Sequence, residues 1–257
     1  MRIVSLIASA TEIVHALGLG EFQVGRSHEC DYPHSVAALP VCTRPRFAVD
    51  GSSAEIDRLV RQTLHDAGSV YEVFDQLLDS LQPTHILTQT QCRVCAVSLD
   101  DVERAMAQRF VSRPRVVALE PNTLEDIWAD MRRVGEACAV LPCAETLIHK
   151  LQQEIHQITT RVQTPKRIAV IEWIEPLMHA GHWTPQLVAL AGAQPVLWNE
   201  APDAIVVAPC GFDIPRTRAE MHWLTKRPEW RTIQAPVFLA DGNQFFNRPG
   251  PRILDTV

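Results

Sequence analysis

The sequence lacks any apolar run approaching the roughly 18 to 20 residues that a membrane-spanning helix needs. It also lacks a dense basic stretch. With a net charge of -6, that argues against a nucleic-acid footprint. No small-domain disulfide framework is present. The seven cysteines are odd in number and scattered at positions 30, 42, 92, 95, 138, 143 and 210, which leans towards a reducing compartment. Catalytic signatures are missing too: no nucleophile elbow, no G-x-x-x-x-G-K-[ST], no G-x-G-x-x-G and no H-E-x-x-H. The pair Asp100-Asp101 stands at a helix start, where the helix dipole accounts for it. Nothing here demands catalysis, and the expectation is a protein that is not an enzyme. Met1-Arg2 leads straight into the apolar Ile3-Val4-Ser5-Leu6-Ile7 with no leader pattern. The expectation as written is cytoplasmic, or periplasmic if a signal peptide has been removed.

What is present is a soluble globular profile, 46% hydrophobic and 21% charged over 257 residues, enough for one large domain or two small ones. The stretch from Pro142 to Pro165 organises the rest. Leu147, Ile148, Leu151, Ile155, Ile158 and Val162 recur at spacings of three and four, the apolar stripe of one helix. At 1.5 Å per residue this is a rod of roughly 30 Å. The segments on either side alternate strand and helix, so the rod reads as a spacer between two lobes. The expected fold class is α/β, two Rossmann-like lobes with parallel sheets joined by one long linking helix. The expected domains are 1–141, the linking helix 142–165, and a C-terminal lobe 166–257 that is incomplete if residues are missing.

The first lobe opens with a strand at Ile3 to Ile7, then Ser9-Ala10-Thr11-Glu12 at capping-box spacing, and a helix that closes at Gly18. Strands are expected at Phe22 to Ser27, Thr84 to Thr88 and Arg115 to Leu119. Helices are expected at Ala54 to His65, Val70 to Leu81 and Leu124 to Cys138. In the second lobe, strands are expected at Arg167 to Trp173, Ala204 to Val207 and Val237 to Ala240. A loop is expected over Glu175 to Trp183, and helices at Thr184 to Gly192 and Arg216 to Thr225. Pro195-Val196-Leu197 stands only a few residues before the strand at Ala204. A parallel crossover needs about a dozen residues, so an antiparallel step or missing residues are expected near Asn199. The join near Gln234 looks similarly abrupt, and the chain stops at Val257 as a last helix begins.

Loops at strand ends usually carry function. One lobe offers Tyr32, Gln89 and Gln91. The other offers Trp173, Met178, His182, Trp183, Cys210, Phe212, Asp241, Phe245, Phe246 and Arg248. Aromatics with a few polar groups suit a large, flat, partly apolar ligand. Cys92-x-x-Cys95 and His28-x-Cys30 follow strands of the same lobe. Thiolate and imidazole ligands suit zinc or an iron–sulfur cluster. An alternative reading is therefore a cysteine-based Zn or Fe–S protein, or a redox enzyme of the cytoplasm.

Ile3-Val4-Ser5-Leu6 with Ser9-Ala10-Thr11-Glu12, Val24-Gly25 and Asp31-Tyr32-Pro33 resembles the opening of the cobalamin-binding proteins of ABC importers. These belong to the helical-backbone (class III) substrate-binding family. Thr184-Pro185-Gln186-Leu187 before Leu190-Ala191-Gly192 is similar to the family's second-lobe signature, as is Arg248-Pro249-Gly250-Pro251-Arg252 near the end. His28-Glu29-Cys30 and Gln91-Cys92-Arg93-Val94-Cys95 resemble a leaderless subgroup. The resemblance implies a corrinoid such as cobalamin, or a similar metal chelate, held in a cleft between two lobes. It also implies an ABC permease partner if the protein is exported.

Overall fold

The structure is a computed structural model that describes residues 1–90, 97, 101–102, 113–159 and 165–257. Contacts divide it into two compact units. One comprises Met1–Val49 with Leu59–His149, and the other Asp50–Arg58 with Lys150–Val257.

In the first unit, strands β1 (Ile3–Ser5), β2 (Gln23–Arg26), β5 (His85–Gln89) and β6 (Arg115–Leu119) form one parallel sheet in the order β2-β1-β5-β6. β1 is buried along its whole length, as a central parallel strand covered on both faces must be. Val4, Leu6, Cys42, Leu78 and Ile86 pack into one core beneath it. Helix α1 (Ala8–Ala16) ends as expected at Gly18, whose φ of +75° suits a residue without a Cβ. The Gly18 and Leu19 N–H groups donate back to the His15 and Val14 carbonyls, closing the last turn. Its start differs from expectation. Ile7 is the cap residue, and Ser9 lies inside the helix, buried. The helix begins directly off β1, which leaves no room for Ser9 and Glu12 to act as a capping box.

Helix α2 (Ser53–Ala67) forms where the sequence predicts it. Val70 to Leu81 does not form one helix. Tyr71–Val73 is strand β4, antiparallel to β3 (Thr43–Pro45), and only Asp75–Ser80 is helical, as α3. The run Val70-Tyr71-Glu72-Val73 is rich in β-formers, and pairing with a distant partner decides its fate. Helix α4 (Leu124–Ala137) starts at a capping box: Thr123 accepts from the Asp126 N–H, and Asp126 accepts from the Thr123 N–H. Helix α5 (Leu141–Thr159) carries the chain out of the first unit and into the second. Ala144, Ile148, Leu151 and Ile155 are its buried stripe. Gly135 lets α4 and α5 approach closely, because a Cβ there would stand 2.8 Å from Ala144 Cβ. Residues 160–164, and with them Val162, lie outside the described residues.

The second unit has the sheet order β11-β10-β7-β8, from strands β7 (Arg167–Trp173), β8 (Met178–His179), β10 (Ala204–Val207) and β11 (Val237–Leu239). β10 is parallel to both β7 and β11. β8 turns back antiparallel on β7 within the stretch expected to be loop. Its two residues are too few to leave a periodic signal. Helices α6 (Thr184–Leu190) and α7 (Ile214–Thr225) follow, the second capped by Asp213. The core is Ala169, Ile171, Ile205, Val207, Leu224 and Trp230.

The join at 196–203 is neither antiparallel nor short of chain. β9 (Gln194–Pro195) is a two-residue parallel partner of the start of β7, while β10 pairs with the opposite side of β7. Residues 196–203 wrap the end of β7 rather than cross its length. Paired bonds fasten the wrap: the Asp203 N–H donates to Arg167 O at 2.7 Å, and the Arg167 N–H to Asp203 Oδ2 at 2.8 Å. Near Gln234 a 3-10 turn (Pro228–Thr232) feeds β11 directly, and the chain ends in another 3-10 segment, Pro251–Thr256.

Candidate functional site

In a parallel sheet the carboxyl ends of the strands open into loops free to take ligand-binding side chains. In the first unit the loop after β2 carries His28, Cys30 and Tyr32. Tyr32 is exposed. His28 turns towards Thr43, whose Oγ1 accepts the His28 N–H at 3.2 Å and lies 2.9 Å from Nδ1. Its ring stands 5.3 Å from that of Tyr71. Burial, with the Arg26 guanidinium adding to it, lowers the His28 pKa to about 4, so the imidazole is neutral at pH 7.

Cys30 turns the other way. It is 1% exposed, and its Sγ accepts the Thr11 hydroxyl at 3.0 Å from the buried face of α1. Burial pushes the thiol pKa up, against the thiolate that binds metal. Among the described residues, no three of His, Cys, Asp and Glu come together as a metal-binding group. Cys30 and His28 thus engage different partners, Thr11 and Thr43. Gln91, Cys92 and Cys95 lie outside the described residues. Gln89 is buried at the end of β5, in register with Leu119.

In the second unit the loops after β7, β10 and β11 come together. Gly242 sits so close to the β10 loop that a Cβ would meet Pro209 O at 2.2 Å and Ala208 O at 2.5 Å. Only glycine fits there. The Asn247 amide ties the same loops, donating to Ala208 O at 3.4 Å and, within its own turn, to Gly242 O at 2.6 Å. Asp241 caps the single π turn Gly242–Phe246: its Oδ1 accepts the Gln244 N–H at 2.8 Å and its Oδ2 the Gln244 amide at 3.3 Å. Trp173, Phe245 and Phe246 are half-buried. Trp173 is held by its Nε1–H on Glu175 O at 3.1 Å, and its ring lies 5.3 Å from Phe212.

Phe212, Trp183 and Arg248 belong underneath. Phe212 is 1% exposed, with the Arg216 guanidinium 3.9 Å from its ring centre. Trp183 is buried and donates to Phe246 O at 3.1 Å. Arg248, also buried, donates to Asn243 Oδ1 at 3.2 Å. These three hold the loop that presents Phe245 and Phe246.

Glu172, within β7, was not anticipated, whereas His182 lies in the expected loop, between β8 and α6. Glu172 accepts the Gly181 N–H at 3.2 Å, and burial raises its pKa despite the opposing His182. His182 is exposed at φ +51°, an uncommon conformation for a residue with a Cβ.

No protein-family model matches the chain, and no curated protein is significantly similar to it. Solved structures are similar in fold. A possible iron-binding, periplasmic solute-binding protein from Staphylococcus epidermidis superposes with a TM-score of 0.72 at 18% identity, over 99% of this chain and 94% of that one. A periplasmic heme-binding protein from Roseiflexus gives 0.65 at 20% identity, over 98% and 93%. A periplasmic vitamin B12 binding protein of Vibrio cholerae gives 0.66 at 18% identity, over 99% and 92%. The chain has the α/β fold of these periplasmic binding proteins.

Proposed function

We propose that the chain binds a flat metal chelate, cobalamin first among them, as the substrate-binding component serving an ABC permease. The observation that carries this is the half-buried aromatic set Trp173, Phe245 and Phe246 at the carboxyl ends of the second sheet. It presents apolar faces, and Asp241 beside it accepts hydrogen bonds. Flat macrocycles with amide-bearing edges match that surface. Fold neighbours described as vitamin B12 and heme binders support the class of ligand. Tyr32, Gln89 and Gln91 are the contacts proposed from the first unit. Zinc or iron–sulfur chemistry has no support in the burial of Cys30. Working with a permease places the protein in the periplasm, which cell fractionation checks.

Calorimetric and absorbance titrations with cyanocobalamin, dicyanocobinamide and hemin test the proposal. Saturable binding of a corrinoid tighter than of hemin is expected. Hemin alone binding would move the assignment to heme, and no heat or spectral change with any of the three would overturn it.

A further inference from the structure

On the flank of β7 the second unit contains a cavity of about 270 Å³. Ile168, Val170 and Val188 are among its apolar walls, and His179 and Glu200 are its ionisable groups. It exists because β8 and β9 are two residues each and leave the flank of β7 thinly covered. At about 30 Å³ per water, the space equals roughly nine waters.

Two acceptors border it, one buried and one at its exposed edge. The His179 Nδ1 is buried with no hydrogen-bond partner among the described residues. Glu200, exposed at the cavity's edge, uses Oε2 to accept the Leu197 N–H at 2.9 Å, and Oε1 makes no protein hydrogen bond among the described residues. The turn that aims this carboxylate is fixed: the Glu200 N–H donates to Leu197 O at 3.0 Å, and Ala201 follows at φ +51°. Burial lowers the His179 pKa, with Glu200 opposing. A neutral imidazole, protonated on Nε2, offers Nδ1 as an acceptor.

We propose that this cavity binds a small aliphatic primary amine. The alkyl chain lies along Ile168, Val170 and Val188, and the ammonium donates to His179 Nδ1 and Glu200 Oε1. A carboxylate ligand would meet Glu200 with like charge. An alcohol brings one donor to two acceptors. A bare divalent cation would find two ligands where it needs four or more.

The test uses the full-length protein at pH 7.5, where an alkylamine carries its charge. n-Hexylamine, n-hexanol and hexanoate are titrated while the Ile168, Val170 and Val188 methyl resonances are followed by NMR. Saturable shifts with hexylamine at a Kd near ~1 mM are expected, the scale for a ligand of this size. Hexanol should bind at least about tenfold more weakly, as the price of its missing donors and charge, and hexanoate should give no saturation. Glu200→Gln should weaken hexylamine about tenfold and leave cobalamin titrations unchanged. No saturation with hexylamine, equal binding of hexanol or hexanoate, or wild-type affinity in folded Glu200→Gln would overturn the proposal. Should that variant fail to fold, the three ligands on the wild-type protein still decide. None of these outcomes touches the cobalamin assignment.

Discussion

Ser53 and Glu220, 167 positions apart in sequence, meet at one carboxylate oxygen. The Ser53 N–H donates to Glu220 Oε2 at 3.0 Å and the Ser53 hydroxyl at 2.7 Å. The first N–H groups of a helix have no partner within it, so Glu220 on α7 caps α2 from outside. Arg216 on the same helix adds a bond to Gly51 O at 3.0 Å. Bonds to a charged acceptor contribute about 1.5 to 3 kcal/mol each before exposure reduces them. Glu220→Ala should therefore lower stability in urea by about 1 to 3 kcal/mol. A loss below about 0.5 kcal/mol would show that the cap adds nothing in solution.

His28 gives a pH dependence of definite sign. Its folded pKa of about 4 lies below the ordinary 6.5, so folding favours the neutral ring. The contribution is fully present above pH 6.5 and is lost as pH falls through 4. The shift corresponds to at most about 3 kcal/mol, reduced by the quarter of the side chain that water reaches. His28→Gln should flatten the stability profile between pH 6.5 and 4 relative to wild type. Parallel profiles would mean that another group titrates there.

The described cysteines should separate by reactivity. Cys143 is exposed, whereas Cys30, Cys42 and Cys138 are buried, and burial pushes the Cys42 thiol up to about 11. Iodoacetamide on the native protein, followed by peptide mapping, should label Cys143 first and reach the buried three only after denaturant is added. Fast native labelling of Cys30 would contradict its place under α1.

The aromatic face predicts a graded loss of ligand. Trp173→Ala and Phe245→Ala should each raise the cobalamin Kd about five- to tenfold, the scale of one aromatic contact. Phe212→Ala should instead cost about 3 to 5 kcal/mol of stability, as a buried ring does. Calorimetry with urea melts separates the two effects. Unchanged affinity in both surface variants would remove that face from the site.

The α/β pattern and the main strands are legible in the sequence because they are local. β6 and β7 fall at Arg115–Leu119 and Arg167–Trp173 as their apolar runs predict. Gly18 ends α1 because a left-handed residue needs no partner elsewhere. What escapes depends on distant contacts: Tyr71–Val73 becomes strand through Thr43–Pro45, and Met178–His179 through Ile171 and Trp173. Residue type located the loops of the candidate site but not the direction of each side chain. Cys30, Phe212, Trp183 and Arg248 all turn inward, because neighbours such as Thr11 and the Phe246 carbonyl capture them.

The central place of β1 has a consequence for synthesis. Ile3 pairs with His85 and Ser5 with Leu87, so the middle of the first sheet waits for chain made 82 residues later. At 5 to 20 residues per second on the ribosome, that is roughly 4 to 16 s. During that interval the apolar run Ile3-Val4-Ser5-Leu6-Ile7 stands without its β5 neighbour. Until β5 is made this strand is paired on one side at most, and a nascent-chain chaperone would find its target there.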